Sequence, residues 1–204
     1  MADDETVLRR MLSPARMSPY LVATGGTWDK AVELYDWNVR ASSAFFESIH
    51  YLEIGLRNSL DGAAAACLGP MWLTSGTALT ARSRDVVRIA VRQAGGPQVP
   101  RGKVVAELPF GFWWSLLADE YNRRLWQPAL RHAFTGPVRR RRLHAELDEV
   151  RRLRNRIAHH EPIHTRDLDA DFRRLVDISG RLGSALARHI TQTTRVAAVL
   201  RERP

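Results

Sequence analysis

The sequence predicts an all-α domain, and three observations carry that expectation. Apolar residues recur at three- and four-residue intervals through almost every long stretch, which is the spacing of one helix face. Gly25-Gly26, Gly69-Pro70, Gly95-Gly96-Pro97 and Gly136-Pro137 mark the joints between these stretches. Hydrophobic residues make up 45% of the 204 positions, enough for one sizeable core. The chain is read as one domain over 1–204, with 1–12 as a flexible lead and no internal repeat.

The elements follow in order. SPYLVATGG offers Ser18 as an N-cap, Pro19 at the first helical position and Gly25-Gly26 as a stop. The next segment, from Thr27 to Gly69, predicts one or two long amphipathic helices. There Phe45, Ile49, Leu52, Leu56 and Leu60 share a stripe, and Gly69-Pro70 ends it. Residues 77–94 predict a helix of mixed polarity, stopped by Gly95-Gly96-Pro97. QVPRGKVVAE is the least regular stretch and reads as a loop with a short extended piece. LPFGFWWSLLADEYNRRLWQPALRHAF returns to helical spacing, and Trp113, Trp114 and Trp126 in it are expected to pack in the core. Gly136-Pro137 opens a fresh helix, and a last helix is expected over 166–198.

Composition narrows the setting. One cysteine, Cys67, permits no intrachain disulfide and no thiolate set for zinc, so a reducing, cytoplasmic location is expected. MADDETVLRR is acidic and polar, unlike a secretory signal, and no apolar run is long enough to span a bilayer; no membrane partner is expected. The net charge is +9 and nearly all the positive charge is arginine, with Lys30 and Lys103 the lysines. Arginine's planar fork suits phosphate, which makes nucleic acid the expected partner.

The stretch RNRIAHHEPI, residues 154–163, stands out on that background. At roughly 100° per residue from Leu143, the side chains of Leu147, Val150, Leu153 and Ile157 lie within roughly 80° of it and form a core stripe. Arg154 falls at roughly 20°, inside that stripe. An arginine so placed must pair with a carboxylate or line a cleft. Pro162 disfavours helix at Glu161, so the helix should end near His159 or His160. Imidazole titrates near neutrality, which suits proton transfer. The plainer reading is that histidine and arginine at a helix C-terminus only complement its dipole.

RNRIAHHEPI resembles the signature of the Abi-like, or abortive-infection, family of the HEPN superfamily: an arginine, a polar residue, then a histidine after four to six positions. LYDWN at 34–38, YLEIGLRN at 51–58, ELPFGFWWSLL at 107–117 and YNRRLWQPAL at 121–130 resemble the same family in the same order. The resemblance covers roughly residues 13–190. It implies a HEPN-like helical bundle with additional helices, assembled as a two-fold homodimer in which the motifs of two copies meet. It also implies a metal-independent endoribonuclease of a phage-defence or toxin–antitoxin system, with RNA as substrate and no cofactor. An antitoxin, RNA or protein, is a possible further partner. By motif position His159 would be the acid or base, Arg154 would bind the scissile phosphate, and Asn155 would orient one of them. His160 also satisfies the spacing; His159 is preferred. The tyrosine that follows the histidine in one toxin–antitoxin type has no counterpart in this sequence.

Other residues are assigned around this motif. Glu53 and Arg57 are four apart and a helix salt bridge explains them. The resemblance also allows Glu53, Arg57 and Asn58 a supporting role, with Glu53 as partner of Arg154. Arg139, Arg140, Arg141 and Arg142, with Arg151 and Arg156, are candidates for contact with RNA backbone; Glu146 and Glu149 can pair with part of the run. His160, Glu161 and His164 are not expected to hold a metal, because Pro162 breaks their spacing. Two alternatives stand beside the nuclease: an RNA-binding protein without catalysis, and a structural dimer in which Arg154 is an internal ion-pair residue.

Overall fold

Two Ser-Pro pairs lie five residues apart near the start, and the first of them begins a helix. In a computed structural model that describes residues 2–75 and 77–204, Ala2–Leu12 forms α1 and Pro14–Ala23 forms α2. Ser13 caps α2 by accepting from the Arg16 amide at 3.3 Å, and Pro14 takes the first turn. Ser18 is therefore not the cap, and Pro19 lies inside the helix. The lead expected to be flexible is helical from Ala2, with the Arg9 guanidinium 4.3 Å over the Trp28 ring; Met1 lies outside the described residues.

Gly25 and Gly26, both at positive φ, end α2 and turn the chain into α3, Trp28–Leu68. At 41 residues α3 is one unbroken helix, about 60 Å long. Its predicted stripe of Phe45, Ile49, Leu52, Leu56 and Leu60 is buried, and the other elements pack around it. Gly69 closes it, as the sequence indicates. Thr80 caps α4 (Ala81–Ala94), and Gly95 in the left-handed region ends it.

QVPRGKVVAE departs from expectation. Arg101–Glu107 forms α5, a helix of two turns that buries Val104 and Val105. Adjacent β-branched residues suggest an extended piece, but tertiary packing overrides such propensity. The following stretch is less regular than its spacing suggests: α6 (Phe110–Ser115) gives way to short 3-10 and π turns between Asp119 and Ala133. These broken turns still bury Tyr121, Leu125 and Leu130. Trp113 and Trp126 are buried and Trp114 is half-buried, so these rings serve packing.

Arg140–Ala158 forms α7, which carries the motif. The expected last helix is three: α8 (Leu168–Leu182), α9 (Ser184–Thr193) and α10 (Val196–Arg201). Extended backbone at Gly183 and Thr194 makes the breaks. Trp37 donates to the Val199 carbonyl at 2.7 Å and so ties α10 to α3. At Gly55 an added Cβ would meet a methyl of Leu186 at 2.6 Å; the bare backbone lets α9 close on α3. All elements among the described residues are helical, and none is long and apolar enough to cross a membrane.

Candidate functional site

The C-terminal end of α7 lies against α3, and there the motif residues meet their partners. Leu143, Leu147, Val150, Leu153 and Ile157 are buried as the wheel predicts. Arg154 interrupts the stripe with its side chain 32% exposed. Its Nε lies 3.8 Å from Glu53 Oε2, near enough for attraction between charges and too far for a hydrogen bond. That Nε is buried and makes no hydrogen bond.

The expected salt bridge between Glu53 and Arg57 does not form. Arg57 Nη1 reaches the Ala106 carbonyl instead, at 3.4 Å. Ala106 is in the last turn of α5, where carbonyls lack helical partners and attract cations. With α5 unforeseen, that competitor could not be read from the sequence. Asn58 is exposed on the same helix.

His159 caps α7, its amide donating to the Asn155 carbonyl at 2.9 Å. His160 follows at φ 57, and its amide donates to Ile157 O at 3.0 Å while the Glu161 amide donates to Arg156 O at 2.7 Å. This pair of bonds is a Schellman closure, normally completed by glycine. A side chain there has a conformational cost of roughly 1–2 kcal/mol. Both histidines are exposed and Asn155 is half-buried. His160, and not His159, lines a groove of about 580 Å³ along α3, whose walls include Val39, Ser42, Phe46, Glu47 and Ile157. Val39 and Phe46 are exposed apolar residues on that face.

The loop after the motif is fixed by residues that the sequence reading gave no role. Asn38 is buried on α3, and its Oδ1 accepts from the amides of Ile163 at 2.8 Å and His164 at 3.1 Å. Asn38 ends the LYDWN block, so the signal was present without its meaning. Arg16 of α2 donates to the His160 carbonyl. His164 is buried with its ring 4.9 Å from Tyr20, away from any cluster suited to a metal among the described residues. Burial, with Arg203 and Arg156 nearby, lowers its pKa. Burial and then Tyr35 push the Tyr20 hydroxyl up to about 12.

The arginines assigned to RNA divide into two groups. Arg140 is buried and donates to the Leu117 carbonyl, Asp119 and Asn122, so it holds the broken turns together and is not available to a ligand. Arg151 pairs with Asp148 at 2.8 Å and lies 4.5 Å over the Trp114 ring. Arg156 donates twice to the Pro162 carbonyl, at 3.1 and 2.7 Å, and so clasps the loop. Arg139, Arg141 and Arg142 remain exposed. Glu146 pairs with Arg142 at 2.8 Å, whereas Glu149 turns to Arg152 and Arg166.

Comparison with known proteins gives no match to a family model, a curated sequence or a solved structure.

Proposed function

We propose that this chain is a metal-independent endoribonuclease of the Abi-like, HEPN type, acting in phage defence or as a toxin. The observation that carries the reading is an arginine within an apolar stripe, Arg154, five and six residues before two exposed imidazoles at a helix end, those of His159 and His160. Attack by the RNA's own 2′-hydroxyl needs a group to take its proton, a group to protonate the leaving oxygen and a cation beside the phosphorus. Arg154 supplies the cation, and Asn155 orients the phosphate or the imidazole. What supports His160 over His159 as the proton carrier is its left-handed backbone and its place on the groove wall.

One imidazole performs one proton transfer at a time, so a two-fold pair of chains supplies both roles. The exposed Val39 and Phe46 beside the motif support such a pairing, since an apolar strip next to a polar centre is a usual mark of an interface. RNA backbone then runs toward the exposed Arg139, Arg141 and Arg142.

The contact of Arg154 with Glu53 favours a second reading, in which the arginine is only an internal ion-pair residue. Expression in a bacterial host separates the two. The nuclease reading expects growth arrest that Arg154→Ala abolishes while the variant accumulates as a folded protein. The ion-pair reading expects the variant to lose stability and soluble yield.

A further inference from the structure

Helix α2 meets the loop that follows the motif at two points one turn apart. Arg16 donates to the backbone carbonyl of His160, and Tyr20, four residues on, sets its ring 4.9 Å from that of His164. Both residues lie in the segment between α7 and α8, so α2 holds that segment at two points. The Tyr20 side is fully buried and the Arg16 side is open to solvent.

Three features make this grip consequential. The His160 carbonyl points out of a left-handed residue, and such a backbone persists only where its surroundings hold it. The side-chain anchors from Asn38 and Arg156 reach residues 162, 163 and 164, so beyond the backbone bonds that close α7, Arg16 is the side chain that reaches the His160 peptide. Finally, α2 is joined to its neighbours by sharp bends. Ser13 has φ 65, Gly25 has φ 64 and Gly26 has φ 82, while Pro19 removes one internal hydrogen bond from the helix. Its position therefore depends on what it touches, and the loop depends on it in turn.

We infer that α2 is a clamp on the 160–164 loop and that Arg16 is the positioning residue for His160. The inference rests on the nuclease reading for its functional half and on geometry alone for its structural half. Arg16 touches no reacting atom. It fixes the peptide from which the imidazole projects, and misplacement of a reacting group by about 1 Å costs on the order of a hundredfold in rate.

The test compares the full chain with Arg16→Ala and Arg16→Lys by amide hydrogen exchange and by RNA cleavage. Arg16 makes its contact at the surface, so both variants are expected to fold, and exchange at the α3 core amides serves as the control. Arg16→Ala should speed exchange at residues 160–164 and leave α3 unchanged. Its kcat should fall by on the order of tenfold to a hundredfold with little change in KM, and Arg16→Lys should recover part of that loss. Unchanged loop exchange in Arg16→Ala overturns the clamp. Faster loop exchange with undiminished kcat overturns the positioning role. If the unaltered chain cleaves no RNA, the nuclease reading and the positioning role fail together, while the exchange data still decide whether α2 holds the loop.

Discussion

Arg154 of α7 and Glu53 of α3 face each other with Nε and Oε2 3.8 Å apart, both side chains partly open to solvent. Such a pair contributes little to folding, under about 1 kcal/mol. Replacing either residue by alanine should therefore leave urea denaturation nearly unchanged, and the double variant should show a coupling below about 1 kcal/mol. A coupling of several kcal/mol would mark Arg154 as a structural residue. Loss of the arginine should instead lower RNA cleavage by on the order of 100- to 1,000-fold, the effect of removing a transition-state cation.

His160→Gly is expected to separate stability from activity. Glycine relieves the left-handed backbone at φ 57, and the variant should gain about 0.5–1 kcal/mol in denaturant unfolding. Its cleavage should be abolished with the imidazole. A less stable variant would show that the His160 side chain makes a contact beyond its backbone role.

Asn38→Ala removes the acceptor of two buried amides, those of Ile163 and His164. Leaving both unpaired should cost roughly 2–4 kcal/mol, read as a lower midpoint in thermal or urea unfolding. Asn38→Asp keeps the acceptor oxygen and should lose less.

Acid should weaken the fold in two steps. His164 is buried and His144 half-buried, and burial lowers both pKa values, so the unfolded chain takes up their protons first. Their contribution is complete above the ordinary histidine value of 6.5 and declines as pH falls below it. Glu146 is a second case. Burial raises its pKa, but hydrogen bonds and charge from Arg181 and Arg142 outweigh burial and hold it below the ordinary 4.5. Its stabilising share is present above that value and lost at lower pH. Unfolding measured from pH 7 to 5 should have a smaller pH slope in His164→Phe than in the unaltered chain.

The exposed basic residues at the start of α7 give a fifth expectation. Replacing Arg139, Arg141 and Arg142 together should reduce the salt slope of single-stranded RNA binding by about 2, if each meets a phosphate. Arg140→Ala should behave differently: it leaves the Leu117 carbonyl without a donor and should destabilise the fold by roughly 1–3 kcal/mol. An unchanged slope in the triple variant would move the RNA path to another face.

These cases also show what the sequence could and could not disclose. The course of α3 and the inward stripe of α7 were legible because helical periodicity is local and Gly69 and Pro162 mark their ends plainly. The inward phase of Arg154 was legible for the same reason. Arg140 and Arg156 were not separable from their neighbours, since each is held by a backbone carbonyl outside its helix, Leu117 or Pro162, and carbonyls have no sequence signature. Likewise Val104 and Val105 gave the wrong local signal because burial, not propensity, decides their conformation. The grip of Arg16 on His160 spans 144 residues and could only come from the fold.

The central claim is that Arg154 and a motif histidine cut RNA without a metal ion. Purified protein should be incubated with total RNA in excess EDTA and the fragment ends analysed, alongside Arg154→Ala and His160→Ala. The account predicts fragments ending in cyclic phosphate from the unaltered chain, and loss of cleavage in both variants while RNA binding persists. Intact RNA under every condition, or cleavage undiminished in Arg154→Ala, would contradict it.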